Sequence, residues 1–125
     1  KAFSIDLLED DNVSTEFVTT ESDSSTDDGL TIGQKNALAS ANSYLNYTAF
    51  SYQGLINQLE YEKYSHEDAV FAADNCGADW NEQAAKSAKS YLNYTSFSRD
   101  GLIEQLEYEG FTHEQAVYGA EANGY

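Results

Sequence analysis

At 125 residues the chain has room for one domain or two very small ones. Twenty-two acidic side chains against six basic ones leave a net charge of -16 at pH 7, a field that repels nucleic acid and anionic lipid and favours basic partners. A single cysteine, Cys76, excludes an internal disulfide, and no apolar run is long enough to span a bilayer. The first residue is not Met and no signal peptide is recognisable, so a natural start upstream of residue 1 is expected.

Residues 1–29 hold nine acids and one base and are rich in Ser and Thr, with neither helical nor strand periodicity. Such a composition buries too little apolar surface to offset the entropy of ordering. The opening Phe3-Ser-Ile-Asp-Leu7 alternates like a strand but has no partner strand. This segment is read as an acidic spacer.

Beyond it the chain repeats itself. Residues 37–77 and 84–124 are identical at 25 of 41 positions without a gap, an offset of 47 residues. Self-similarity of that length marks a duplicated structural unit. Units this small bury modest cores, so mutual packing is expected. The organisation expected is a spacer (1–29), a first repeat (30–78) and a second (79–125), each repeat three short helices in a helix-turn-helix-like arrangement, all-α and without a sheet.

In chain order, Thr31-Ile-Gly-Gln34 and Asp79-Trp-Asn-Glu82 carry the capping-box spacing that opens the first helix of each repeat. Ala37, Ala41, Tyr44 and Leu45, with Ala84, Ala88, Tyr91 and Leu92, then form an apolar stripe at helical spacing. Ser51 and Ser98 cap the second helices, each between a preceding phenylalanine and a leucine four positions on, the spacing of a hydrophobic staple. Leu55, Ile56 and Leu59, with Leu102, Ile103 and Leu106, are the stripes there. Gly110 suits a left-handed helix end, whereas Lys63 in its place predicts a strained turn. Ser65 and Thr112 cap the third helices, with Asp68 and Gln115 expected to close the boxes. Ala69, Val70 and Ala73, with Ala116, Val117 and Ala120, face inward, and Gly77 and Gly124 end the helices. Almost no linker separates Gly77 from Asp79, which restricts reorientation of the repeats.

No constellation for catalysis emerges. His66 and His113 are equivalent helix-start residues without a second His or Cys nearby, so no metal is expected. Glu60/Glu62 and Glu107/Glu109 lie two apart on a helix and diverge, which suits no acid–base pair. Cys76 has no basic neighbour to activate it, and neither a phosphate loop nor a nucleophile elbow occurs. The expectation is a non-enzymatic protein without cofactor. Ten tyrosines are too many for so small a core. Tyr44, Tyr47, Tyr61 and their counterparts Tyr91, Tyr94 and Tyr108 recur by duplication, so half of them are expected to pack between helices, with Tyr52, Tyr118 and Tyr125 as surface candidates.

The run Ser-Tyr-Leu-Asn-Tyr-Thr-x-Phe-Ser-x-x-Gly-Leu-Ile-x-Gln-Leu-Glu-Tyr-Glu, present from Ser43 and again from Ser90, resembles the host cell surface-exposed lipoprotein family, and more closely its Ltp-type superinfection-exclusion members from temperate phages of lactic-acid bacteria. The resemblance covers residues from about 30 to 125, with the segments around Trp80 and Gly110 sharpening it. It implies a lipid-anchored protein facing outward, with tandem helical repeats behind an acidic spacer. The implied activity is to block DNA injection by incoming phages, the implied partner the tape measure protein. The family's lipobox cysteine has no counterpart in these residues, since Cys76 ends a helix far from residue 1. Membrane attachment is thus expected only through an N-terminal lipid anchor outside them.

Two other readings of the residues stay open: a ubiquitin-associated-like module with its contact loop at residues 109–112, and an acidic mimic of DNA. A helix-turn-helix that binds nucleic acid is disfavoured by the charge. For a basic phage partner the contact residues expected are Asp100, Glu104, Glu107, Glu109 and Glu114 of the second repeat. Glu60 and Glu67 form a weaker set in the first, and Tyr52 and Tyr118 would add apolar contact. Asn57 stands where the second repeat has Glu104, and Lys63 brings a positive charge to the first repeat, so the second is expected to bind more strongly.

Overall fold

Each helix begins where a short polar side chain can take the place of a missing intrahelical acceptor. In the computed structural model, which describes residues 29–125, α1 (Ile32–Tyr47) opens on a complete capping box. The Gln34 N–H donates to Thr31 Oγ1 at 3.0 Å and the Thr31 N–H donates back to Gln34 Oε1 at 2.9 Å. The acidic spacer expected at residues 1–29 lies, but for Gly29, outside the described residues. Ser51, Ser65, Asp79, Ser98 and Thr112 cap α2 (Tyr52–Tyr61), α3 (His66–Asn75), α4 (Trp80–Tyr94), α5 (Arg99–Tyr108) and α6 (His113–Ala122). Each accepts the N–H three residues on. The return bond forms at Thr112, whose N–H donates to Gln115 Oε1 at 3.0 Å. At Ser65 no return bond from Asp68 is found among the described residues, the aspartate being a methylene shorter.

α2, α3, α5 and α6 end on left-handed residues, Lys63, Gly77, Gly110 and Gly124. The Phe111 N–H reaches the Leu106 carbonyl at 3.2 Å while the Gly110 N–H reaches Glu107 at 3.0 Å, the paired bonds of a Schellman turn. Tyr64 and Lys63 repeat this on Leu59 and Glu60, at 3.1 and 2.9 Å. Lys63 does so at φ +79°, the one non-glycine among the described residues with a positive φ, and the strain expected there is present.

All-α, two tandem three-helix repeats: the described residues contain six helices and no strand. Residues Asn36–Tyr125, which hold all but the first turn of α1, form one compact unit. Within it lie two cores. Ala37, Ala41, Leu55, Ile56, Leu59, Ala69, Ala72 and Ala73 make the first. Ala84, Ala88, Leu102, Ile103, Leu106, Phe111, Ala116 and Ala120 make the second. Alanine at the inner positions lets helices approach closely, most of all where a Cβ on Gly119 of α6 would come within 2.8 Å of the Ala84 carbonyl of α4.

The repeats are also joined side by side. Trp80, the first residue of α4, packs against the first core and meets the Tyr52 ring edge-on, centroids 5.6 Å apart. The α1–α2 turn of the first repeat docks on the second: the Phe50 N–H donates to Gln83 Oε1 at 3.0 Å and the Ser51 hydroxyl to the Glu109 carbonyl at 2.7 Å. Ser51, Gln83 and Ser87 are the buried polar residues of the described chain, and Ser51 and Gln83 bond each repeat to the other.

The tyrosines depart from expectation. Tyr44 and Tyr91 pack on the cores, each edge-on to the phenylalanine of its own turn. Tyr47, Tyr61, Tyr94 and Tyr108, duplicated in the same way, are 77–88% exposed, so fewer than the expected half lie inside. They close α1, α2, α4 and α5, where the helix runs past its core, and identity between copies here reflects something other than burial. Tyr52, expected at the surface, is half-buried instead, because Trp80 covers it.

Candidate functional site

The second helix of the second repeat presents acids at Asp100, Glu104 and Glu107, positions four and three apart on one helix face. α6 packs beside α5, and the two enclose a groove of about 340 Å³ lined by Arg99, Asp100, Ile103, Glu104, Glu107, His113 and Val117. Three of the expected contact residues therefore share one groove. Its walls are charged and its floor is apolar, from Ile103 and Val117. Arg99, the chain's single arginine, is held at the rim by Glu121 of α6 (Nη2 to Oε2, 3.2 Å) and stands 3.7 Å from Asp100. His113 Nδ1 lies 2.5 Å from Glu107 Oε2, tying the start of α6 to α5. The Asp100 side chain is 91% exposed, and Glu104 is exposed as well.

The matching positions of the first repeat are Tyr52, Gln53, Ile56, Asn57, Glu60, His66 and Val70. Gln53 bonds Asn57 at 3.0 Å, and Tyr52 turns its hydroxyl to Asp74 Oδ1 at 2.6 Å. That bond, together with burial, raises the Tyr52 pKa. Glu60 pairs with His66 as Glu107 does with His113. One carboxylate thus stands where the second groove has three.

The remaining expected residues are dispersed. Glu67 and Glu114 are exposed in the first turns of α3 and α6, where an acid also suits the helix dipole. Tyr118 is 49% exposed on α6, outside the lining of the groove. Glu109 sits at the joint. Its carbonyl accepts from Ser51, its carboxylate accepts from the Tyr91 hydroxyl, and it lines two clefts of about 230 and 220 Å³ with Ala49 of the first repeat. Burial there pushes the Glu109 carboxyl above its ordinary pKa. Arg99, Ile103, Val117 and His113 were not expected in the site. The sequence does mark the first of them, since Arg99 stands where the first repeat has Tyr52, one of three places where α5 differs from α2.

Among the described residues no group of three or more His, Cys, Asp or Glu side chains is placed to hold a metal, and no helix is long and apolar enough to cross a membrane.

Comparison with known proteins fits the duplication. The family model of the host cell surface-exposed lipoproteins matches twice, at residues 33–76 and 79–122. The chain belongs to that family. It is similar to the solved structure of Ltp, a superinfection exclusion protein from the Streptococcus thermophilus temperate phage TP-J34. The two are 32% identical with a TM-score of 0.69 over 74% of this chain and 96% of that one. Comparison with curated protein sequences gives no match. The family's two matches split at residues 77–78, where the left-handed Gly77 ends α3 just before the Asp79 cap.

Proposed function

We propose that this chain excludes superinfecting phages: displayed at the host cell surface through a lipid anchor outside these residues, it captures a basic segment of an incoming phage protein and so blocks DNA injection. The tape measure protein is the partner the reading favours. Membership of the surface lipoprotein family and likeness to an exclusion protein support it. The observation that carries the binding mechanism is the α5–α6 groove, where Asp100, Glu104 and Glu107 surround an apolar floor. A lysine or arginine has a matching shape, with an apolar stem for Ile103 and Val117 and a cationic head for the carboxylates. The action is binding, without covalent chemistry. Charge spread over the whole chain speeds the encounter, and capture weakens as salt rises.

The test is protection of cells by anchored variants. Asp100→Lys with Glu104→Lys changes two exposed acids that no core residue needs, and leaves the Glu107–His113 pair in place. We expect a folded protein, by circular dichroism, that protects poorly. Full protection by a normally folded, normally displayed double variant would refute the groove as the capture site while leaving exclusion itself intact.

A further inference from the structure

The joint between the repeats is made by a plug and a socket, and duplication provides a second copy of each. The plug is the turn at residues 48–54 of the first repeat, which donates from the Phe50 N–H and the Ser51 hydroxyl. The socket belongs to the second repeat: Gln83 and Ser87 on α4, and the helix end at Glu109–Gly110. Gly110 is required there, because a Cβ on it would stand 2.7 Å from Ser51 Oγ and 3.2 Å from Gln53 Cβ.

The second plug, residues 95–101, reads Thr-Ser-Phe-Ser-Arg-Asp-Gly against Thr-Ala-Phe-Ser-Tyr-Gln-Gly in the first. The Phe97 N–H and the Ser98 hydroxyl proton meet no acceptor among the described residues, and Ser98 is exposed where Ser51 is buried. Tyr125 does bond the Phe97 carbonyl, a group whose counterpart takes no part in the joint. The first repeat's copy of the socket has, by contrast, been altered. Asn36 stands for Gln83 and Lys63 for Gly110, while Ser40 keeps the serine of Ser87. Lys63 carries the Cβ that the docked plug excludes. Tyr64, standing for Phe111, adds a hydroxyl that bonds Ser40 Oγ at 2.8 Å and donates to the Asn36 carbonyl at 3.2 Å, on the helix face a plug would use.

We infer that Lys63 and Tyr64 are end stops: they shut the first repeat's socket, confine head-to-tail docking to one joint within the chain, and keep a second copy of this chain from docking its 95–101 turn. A heterologous contact of this kind has no two-fold closure, so without a stop it propagates from copy to copy. For a protein displayed at a surface, the stops hold it as single units with the α5–α6 groove open.

Rebuilding the open socket in the full chain tests this. The variant Asn36→Gln/Lys63→Gly/Tyr64→Phe gives the first repeat the residues the second already uses. Sedimentation velocity at rising concentration, in about 0.5 M salt to screen the net negative charge, is the measurement. The parent should remain at the mass of one chain throughout, and the triple variant should rise toward two and more. Adding Ser96→Glu, which sets an acid of the plug against Glu62, should return it to one. A parent that associates equally, a folded triple variant that stays single at every concentration, or association that survives Ser96→Glu overturns the inference. So does a triple variant without helical circular dichroism, since the second repeat's socket must be tolerated in the first.

Discussion

Leu59 and Leu106 occupy the same place in the two repeats, and both are fully buried. Lys63 and Gly110 also occupy the same place, yet only Gly110 has the other repeat lying against it. Pairs of the first kind have stayed identical; pairs of the second kind have diverged. The core asks the same of each copy, because three helices around a leucine–isoleucine stripe must close in the same way. The surfaces are asked different things, because one repeat offers a plug and the other a socket, and one groove has one acid where the other has three. At these places the copies agree where packing is local and differ where one meets something the other does not, although the plug's Phe50 and Ser51 are kept as Phe97 and Ser98.

The identical pair gives the largest effect. Leu59→Ala and Leu106→Ala each leave a cavity under a helix and should each cost about 2–5 kcal/mol in chemical denaturation. Because residues 36–125 form one unit joined by Trp80, Gln83 and Ser51, both should act on a single unfolding transition. A loss confined to one of two separable transitions would mean that the repeats fold independently and that the joint is weak.

The next prediction splits the copies. Gly119 lies so close to α4 that an alanine Cβ would meet the Ala84 backbone at 2.8 Å, while the first repeat carries alanine, fully buried, at the matching Ala72. Gly119→Ala should therefore destabilise by about 1–3 kcal/mol through overpacking, despite its higher helix propensity. An unchanged or raised melting temperature would show that α4 and α6 can move apart at no cost.

What the sequence made legible follows from distance along the chain. Caps, staples and stripes are fixed by residues three to five apart, so Ser51, Ser98 and Thr112, and the buried Leu55–Leu59 and Leu102–Leu106 positions, could be read directly. Gly77, Gly110 and Gly124 all take the left-handed conformation their helix ends require. The joint could not be read, since Phe50 and Gln83 are 33 residues apart and Ser51 and Glu109 are 58 apart. Tyr52 was misplaced for the same reason: its cover, Trp80, comes from the other repeat. Tyr47, Tyr61, Tyr94 and Tyr108 differ for another reason: duplication alone does not separate buried tyrosines from exposed ones, and their places at helix ends leave these four out in solvent. The groove was half legible. Helical spacing brought Asp100, Glu104 and Glu107 together, but neither the α6 wall nor the diversion of Glu109 to the joint had a local signal.

At the helix end where the repeats diverge, glycine and lysine should give effects of opposite sign. Lys63→Gly relieves a side chain at φ +79° and should stabilise by roughly 1 kcal/mol or less, part of the gain being lost to a freer unfolded chain. Gly110→Ala has both a φ of +111° and the Ser51 hydroxyl against it, and should destabilise by about 1–2 kcal/mol. Effects of the same sign would remove the joint as the reason for the glycine.

The smallest effect concerns the carboxylate that the joint partly covers. Burial raises the Glu109 pKa in the folded protein, although the Tyr91 hydroxyl donates to it. The folded state thus holds the proton more tightly than the unfolded one. Its contribution is fully present below the unfolded glutamate pKa of about 4.3 and is lost as pH rises through the higher folded value. At neutral pH the ionised carboxylate is held partly stripped of water, a small cost because Glu109 is still partly exposed. Glu109→Gln keeps the oxygen that accepts from Tyr91 and removes the charge. Its melting temperature should match or exceed the parent's at pH 7, and this advantage should vanish by about pH 4, below the same reference value. Glu62→Gln is the control at the matching place of the first repeat, where the side chain is exposed and no second repeat lies beside it. If Glu109→Gln instead melts lower at pH 7 and level with the parent at pH 4, the ionised carboxylate stabilises the joint through Tyr91, and hydrogen bonding rather than desolvation governs that position.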